Sequence, residues 1–249
     1  MMNITETVKQ LLIINVLFFI GSQFVPASYD LLALHYFESD KFKLWQPLTS
    51  MFMHGGLMHI AFNMFALYSF GSALEHRWGA KKFIFFYISC GLGSAVLYSA
   101  FNYYQFHEAI QPLLDGGLSK STILEAMNTQ KFNSFDGIIS QEQFNSFSSV
   151  FYGTAVGASG AIYGLLVAFA FLYPNAELAL MFIPVPIKAK YFVPGILVID
   201  LVLGLKGNSL FGDGGTGIAH FAHLGGALCG FIMMWYWKKN QFNDNRWDR

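Results

Sequence analysis

An all-α, polytopic membrane protein built as a six-transmembrane-helix bundle is the fold this sequence predicts, and three observations predict it. The chain of 249 residues is 54% hydrophobic and only 12% charged, about half the charged fraction of an average soluble domain. Its mean hydropathy is +0.43. Apolar stretches recur almost end to end, near 8–28, 54–74, 82–102, 155–173, 190–205 and 218–237. A helix needs about 20 such residues to cross the hydrocarbon; the fourth stretch is just long enough and the fifth is short. No soluble unit of useful size is left over, so a single membrane domain over 1–249 is expected. A formal net charge of zero gives no footing for nucleic-acid binding.

The first stretch has a competing reading. Lys9 followed by an apolar run from Leu11 to Ile20 resembles a signal-peptide core. No Ala-x-Ala-like site follows it, and Asn15 interrupts it, so a first membrane span fits better. With the N-terminus inside, ten Lys and Arg residues fall on inner segments (Lys9, Arg77, Lys81, Lys82, Lys188, Lys190, Lys238, Lys239, Arg246, Arg249). Five fall outside (Lys41, Lys43, Lys120, Lys131, Lys206). The positive-inside rule then puts both termini in the cytoplasm. The expected address is a bacterial inner membrane.

The one sizeable polar insertion, 103–152, faces outward in this arrangement. Thr122-Ile123-Leu124-Glu125 reads as a capping box that opens a short helix. Asp115-Gly116-Gly117 and Asp136-Gly137 read as turns. The two cysteines, Cys90 and Cys229, lie in apolar runs without a CxxC partner, which indicates packing rather than a disulfide or a zinc site. No internal repeat of the kind found in many transporters is visible.

Polar residues inside the apolar runs carry the chemistry, because ionisable groups at membrane depth are costly and mark functional interiors. Ser159, in Gly157-Ala158-Ser159-Gly160, sits at the start of the fourth span, where unpaired backbone N–H groups and the helix dipole favour negative charge. Gly157 leaves room for close approach. Taken alone, Ser159 could be a helix cap. His223 lies in Ala222-His223-Leu224-Gly225-Gly226. Gly160 and Gly164 on the fourth span, and Ala222, Gly226 and Gly230 on the sixth, are ladders that let two helices touch closely. If those faces meet, His223 reaches Ser159, and a serine with an adjacent base is an activated nucleophile. His59 and Asn63, four apart on one face of the second span, offer neutral donors for an oxyanion. Asp200 is the only acid within a span, and nothing in the sequence ties it to His223, so a two-residue unit is expected. His220, three before His223, suggests a His-x-x-His metal pair, but no third ligand completes a convincing set and the HExxH signature is absent. No metal and no cofactor is expected.

These residues resemble the rhomboid family of intramembrane serine proteases. The resemblance is carried by His54-x-x-x-x-His59-x-x-x-Asn63, Gly157-Ala158-Ser159-Gly160, and Ala222-His223-Leu224-Gly225-Gly226 with Gly230, with Glu75-x-Arg77-x-Gly79 between the second and third spans. It covers roughly residues 45 to 235. It implies a helical bundle around a wet cavity open to the outer side. It implies that Ser159 attacks and His223 serves as general base and then acid, and that His59, Asn63 and the Ser159 backbone N–H hold the oxyanion. Tyr163 resembles the family tyrosine stacked on the catalytic histidine, and 210–217 resembles a loop that caps the site. One departure stands out: Trp45 is followed by Gln46, where the family often carries arginine. The expected function is an intramembrane serine endopeptidase cleaving a single-span membrane protein substrate near the outer membrane boundary. The alternatives are a non-catalytic rhomboid-like chaperone or binding protein, and a small transporter with a histidine proton path.

Overall fold

The computed structural model describes residues 3–180, 183–206 and 218–240. Helix α1 (Glu6–Phe24) buries Val8, Leu11, Asn15 and Ser22, a single stripe at helical spacing, while Ile13, Leu17 and Ile20 point outward. Its first turn is held from a distance. The backbone N–H groups of Thr7 and Val8 donate to the Glu75 carboxylate at 3.0 and 2.9 Å, and the Thr5 hydroxyl donates to it as well. Helix-start amides lack partners of their own, and an anion suits the positive end of the dipole.

Residues 25–56 form an ordered loop with two short helices, α2 (Ser28–Leu32) and α3 (Gln46–Thr49). Gln46 is fully buried and is the loop's organiser. Its carbonyl oxygen accepts from the Lys43 N–H at 3.1 Å and its amide nitrogen donates to the Lys41 carbonyl at 2.9 Å. Where the resemblance leads one to expect a cation, a neutral amide folds the loop onto itself.

Helix α4 (Leu57–Ala66) runs through a π turn, Leu67–Gly71, into α5 (Ser72–Trp78). It starts three residues later than the hydropathy suggests, because Gly55 and Gly56 extend the chain before it. Gly79 turns at φ +77° into α6 (Ala80–Ala109), a 30-residue helix. At 1.5 Å per residue α6 is about 45 Å long, more than the hydrocarbon needs, so the start of the expected polar insertion is really its continuation.

The rest of the insertion is folded rather than draped. It holds α7 (Gln111–Asp115), α8 (Lys120–Thr129) and α9 (Gln141–Tyr152). Phe106, Ile110, Met127, Phe147 and Phe151 build a core there with Leu34 and Tyr36 of the loop. The capping box expected at Thr122–Glu125 is not formed. Ser119 caps α8 by accepting from the Thr122 N–H, and the true box is Ser140 with Gln143 at α9. The glycine turns are where the sequence suggests, with Gly117 at φ +92° and Gly137 at φ +78°.

Helix α10 (Ser159–Leu172) has 14 residues and spans about 21 Å, shorter than the hydrocarbon a full crossing requires. Residues 155–158, expected to be helical, precede the helix instead: Ala155 and Leu34 exchange both backbone hydrogen bonds, at 2.9 and 3.0 Å, the Gly157 N–H donates to the Ser50 carbonyl at 2.9 Å, and Ala158 turns into α10. An antiparallel hairpin unforeseen from hydropathy, β1 (Glu177–Leu180) and β2 (Ile183–Lys188), leads into α11 (Ala189–Lys206). The last helix is α12 (Ile218–Asn240). Helices Glu6–Phe24, Leu57–Trp78 and Ala80–Asp115 are each long and apolar enough to cross a membrane, and Ser159–Leu172 is a shorter apolar helix.

The two glycine ladders do meet. A Cβ on Gly226 would lie 1.8 Å from the Gly160 carbonyl oxygen, and one on Gly230 would lie 2.8 Å from the Gly164 Cα. Helices α10 and α12 therefore touch backbone to backbone. Both cysteines are free and sit in this packing, with the Cys90 side chain against Gly164 and the Cys229 side chain against Gly93.

Candidate active site

Ser159 is the first residue of α10, and the cap position before it belongs to Ala158, whose side chain makes no capping bond. The serine hydroxyl is thus not spent on the helix. Its Oγ lies 3.0 Å from Nε2 of His223, brought there by the glycine contact between α10 and α12. One turn further along α10, the Tyr163 ring stacks flat on the imidazole, with centroids 4.3 Å apart and planes within 10°.

His59 and Asn63 converge on the same spot from α4. Gly157, at φ +125°, is so close to them that an added Cβ would meet His59 Nε2 at 2.8 Å and Asn63 Nδ2 at 3.6 Å. Glycine is required there twice over, for the backbone angle and for the space. Asn63 is buried, and its Nδ2 has no hydrogen-bond partner among the described residues. A buried donor left unpaired is rare and needs an explanation. The Gly55 N–H approaches Nδ1 of His59 at 3.4 Å, which leaves the proton on Nε2, the nitrogen facing Gly157. His54 packs edge-on against His59 at 5.1 Å, and its backbone carbonyl accepts from the Tyr29 hydroxyl. A cavity of about 30 Å³ borders Ser159, lined by Ser50, Ser94, Tyr98, Gly157 and Ala222. That is room for about one water molecule.

Asp200 corrects the sequence reading. Its carboxylate, buried in the middle of α11, receives Nδ1 of His220 at 2.5 Å and lies 3.4 Å from Nδ1 of His223, both on Oδ1. The acid that nothing tied to the histidine stands directly behind it. One donor atom from each of Asp200, His220 and His223 lies within 4.8 Å of the others, so the trio also has the composition of a partial metal site. With Oδ1 engaged by both imidazoles, it is arranged as a hydrogen-bonded cluster. The signal available in the sequence was weak but present: a lone acid within an apolar run, and two histidines three apart on one helix face. Of the other expected elements, the capping segment 210–217 lies outside the described residues.

A model of the Rhomboid domain matches residues 41–240 of this chain. The chain belongs to the rhomboid family. Among its relatives are the human presenilin-associated rhomboid-like protein, mitochondrial, 30% identical over 193 residues, which are 76% of this chain and 36% of that protein. The rhomboid protease AarA of Providencia stuartii is 27% identical over 195 residues, 76% of this chain and 54% of that protein. The mitochondrial rhomboid protein 1 of Saccharomyces cerevisiae is 27% identical over 193 residues, 77% of this chain and 41% of that protein. The chain thus matches between about a third and a half of the length of these relatives. Family and helices together make this rhomboid an integral, polytopic membrane protein. Two of the three relatives are mitochondrial and one is bacterial, so they do not single out the bacterial inner membrane expected above.

Proposed function

We propose that this rhomboid is an intramembrane serine endopeptidase that cleaves membrane-anchored proteins near the outer boundary of their transmembrane helix. The observation that carries the reading is the 3.0 Å contact between Ser159 Oγ and His223 Nε2. The orphaned amide of Asn63 beside it supports the same reading.

The chemistry follows from the geometry. His223 takes the Ser159 hydroxyl proton as Oγ attacks the scissile carbonyl. The negative oxygen that develops is held by the Ser159 backbone N–H at the start of α10, by Nδ2 of Asn63 and by Nε2–H of His59. Such preorganised donors are worth most where water is scarce. His223 then returns the proton to the leaving amine. The cavity of about 30 Å³ beside Ser159 can admit a water, which His223 activates in turn to release the acyl group. Tyr163 keeps the imidazole plane in line with Oγ throughout. The substrate is a single-span membrane protein whose helix opens locally, since a peptide bond must leave its helix before attack. The chain crosses the membrane six times with both termini on the cytoplasmic side.

The test is labelling by a fluorophosphonate probe and cleavage of a model transmembrane substrate by purified protein in detergent. Wild-type protein labels and cleaves. Ser159→Ala and His223→Ala fold normally and do neither. Cleavage by Ser159→Ala at the wild-type rate would remove the serine from the reaction and leave a binding protein of the same fold as the better description.

A further inference from the structure

A carboxylate buried among apolar helices is costly unless it is paired, and it rarely persists there without a task. Asp200 is 2% exposed. It lies on α11, and the two imidazoles turned toward it lie on α12, one turn apart. An ionised carboxylate can only accept hydrogen bonds. The nitrogens turned toward its Oδ1, at 2.5 Å from His220 and 3.4 Å from His223, must therefore present N–H. For His223 this has a definite result. A proton on Nδ1 leaves Nε2 with a lone pair, and Nε2 is the nitrogen 3.0 Å from Ser159 Oγ. The opposite tautomer would aim an N–H at the serine and a lone pair at the carboxylate, which is unfavourable at both ends.

From these contacts we propose that Asp200 is a positioning residue that holds His223 in its base-competent tautomer. It also faces the positive charge the ring acquires when it takes the serine proton. His220 is the residue that anchors the carboxylate in place, so that Oδ1 is steered toward α12. Stacking by Tyr163 sets the plane of the ring, and Asp200 sets its proton. The two tasks are distinct, because a stack leaves either nitrogen free to carry hydrogen. The inference deepens the proposed protease reading and rests on it for its catalytic consequence, while its structural half stands apart from activity.

A purely structural tie between α11 and α12 is the competing account, and the experiment separates the two. Nitrogen-15 NMR of imidazole-labelled protein in micelles, with His223→Gln identifying the ring, reads the tautomer of His223 directly. We expect Nδ1–H in the wild type, and a shift toward a mixed or reversed population in Asp200→Asn and Asp200→Ala. In turnover of a transmembrane substrate, Asp200→Asn should lower kcat by about 10²-fold or more with KM changed little, following the behaviour of other serine enzymes that lose the carboxylate behind the histidine. Asp200→Glu should recover part of that loss, and thermal unfolding of Asp200→Asn should stay near wild type. A structural tie predicts the reverse pattern: lower thermal stability, an unchanged tautomer and kcat within twofold. That pattern overturns the proposal, as does an Nε2–H tautomer of His223 in wild-type protein, a measurement that needs no Asp200 variant to fold. If Ser159→Ala cleaves normally, the protease reading falls by itself, and the tautomer of His223 still decides whether Asp200 controls it.

Discussion

Asn63 shows how a single side chain can be read twice. Within an apolar helix an asparagine is usually interhelical glue, yet here its Nδ2 is buried and bonds to nothing described, while His59 on the same face crowds Gly157. A donor kept unpaired in the resting protein is suited to a charge that exists only during reaction. Asn63→Ala is therefore expected to lower kcat by about 10²-fold and leave KM and thermal stability nearly unchanged, measured on a transmembrane substrate. A loss confined to KM would assign Asn63 to substrate binding instead. His35, in the loop, offers a test of a different kind. Burial holds its imidazole below the usual histidine range, and its Nε2 lacks a partner among the described residues. Because the folded pKa is depressed, the unfolded chain binds more protons as pH falls below about 6.5. Stability present above that value is lost on acidification toward the folded pKa. Thermal unfolding at pH 7.5 and 5.5 should show this drop, and His35→Gln should make it smaller.

At the level of elements, the glycine seam between α10 and α12 is what turns two distant residues into one site. With 1.8 Å between a would-be Gly226 Cβ and the Gly160 oxygen, even one methyl group forces the helices apart. Gly226→Ala should cost about 1–3 kcal/mol, the usual range for overpacking, and should reduce fluorophosphonate labelling more than its stability loss explains, because Ser159 and His223 ride on the separated helices. Gly21→Ala is the control. Nothing lies within 4 Å of its Cβ position, and alanine favours the helix, so neither property should fall. The seam was legible in the sequence because small residues four apart have one common use in apolar helices. The pairing of Asp200 with His223 was not, since periodicity relates residues within a helix and is silent about which faces of α11 and α12 turn toward each other. For the same reason the core of the insertion was hidden. Phe106, Phe147 and Phe151 come from segments that read as a polar loop, and only their meeting with Tyr36 makes them interior. Ser119 displaced the expected cap because its own oxygen reaches the Thr122 N–H, a choice between neighbouring hydroxyl residues that local composition leaves open.

Taken whole, the molecule is a bundle whose helix directions can be tested without any assay of activity. Ten basic residues against five predict both termini inside, so on the proposed orientation a reporter active only in the cytoplasm should work when fused at either end and fail when inserted near residue 117 in the insertion. Activity at that internal position would reverse the assignment. The Glu75 carboxylate supplies an independent constraint. Since it binds the N–H groups of Thr7 and Val8, the first turn of α1 and the last turn of α5 must share one depth. The chain has gone over and come back between them. On the proposed six-span arrangement, whichever face of the lipid residue 5 lies near, the bend at Gly79 lies near it too, and residues 25–56 emerge on the other. One chemical tag close to the N-terminus therefore reports the sidedness of the first three long helices, and that carboxylate serves as a built-in plumb line for the orientation of the chain.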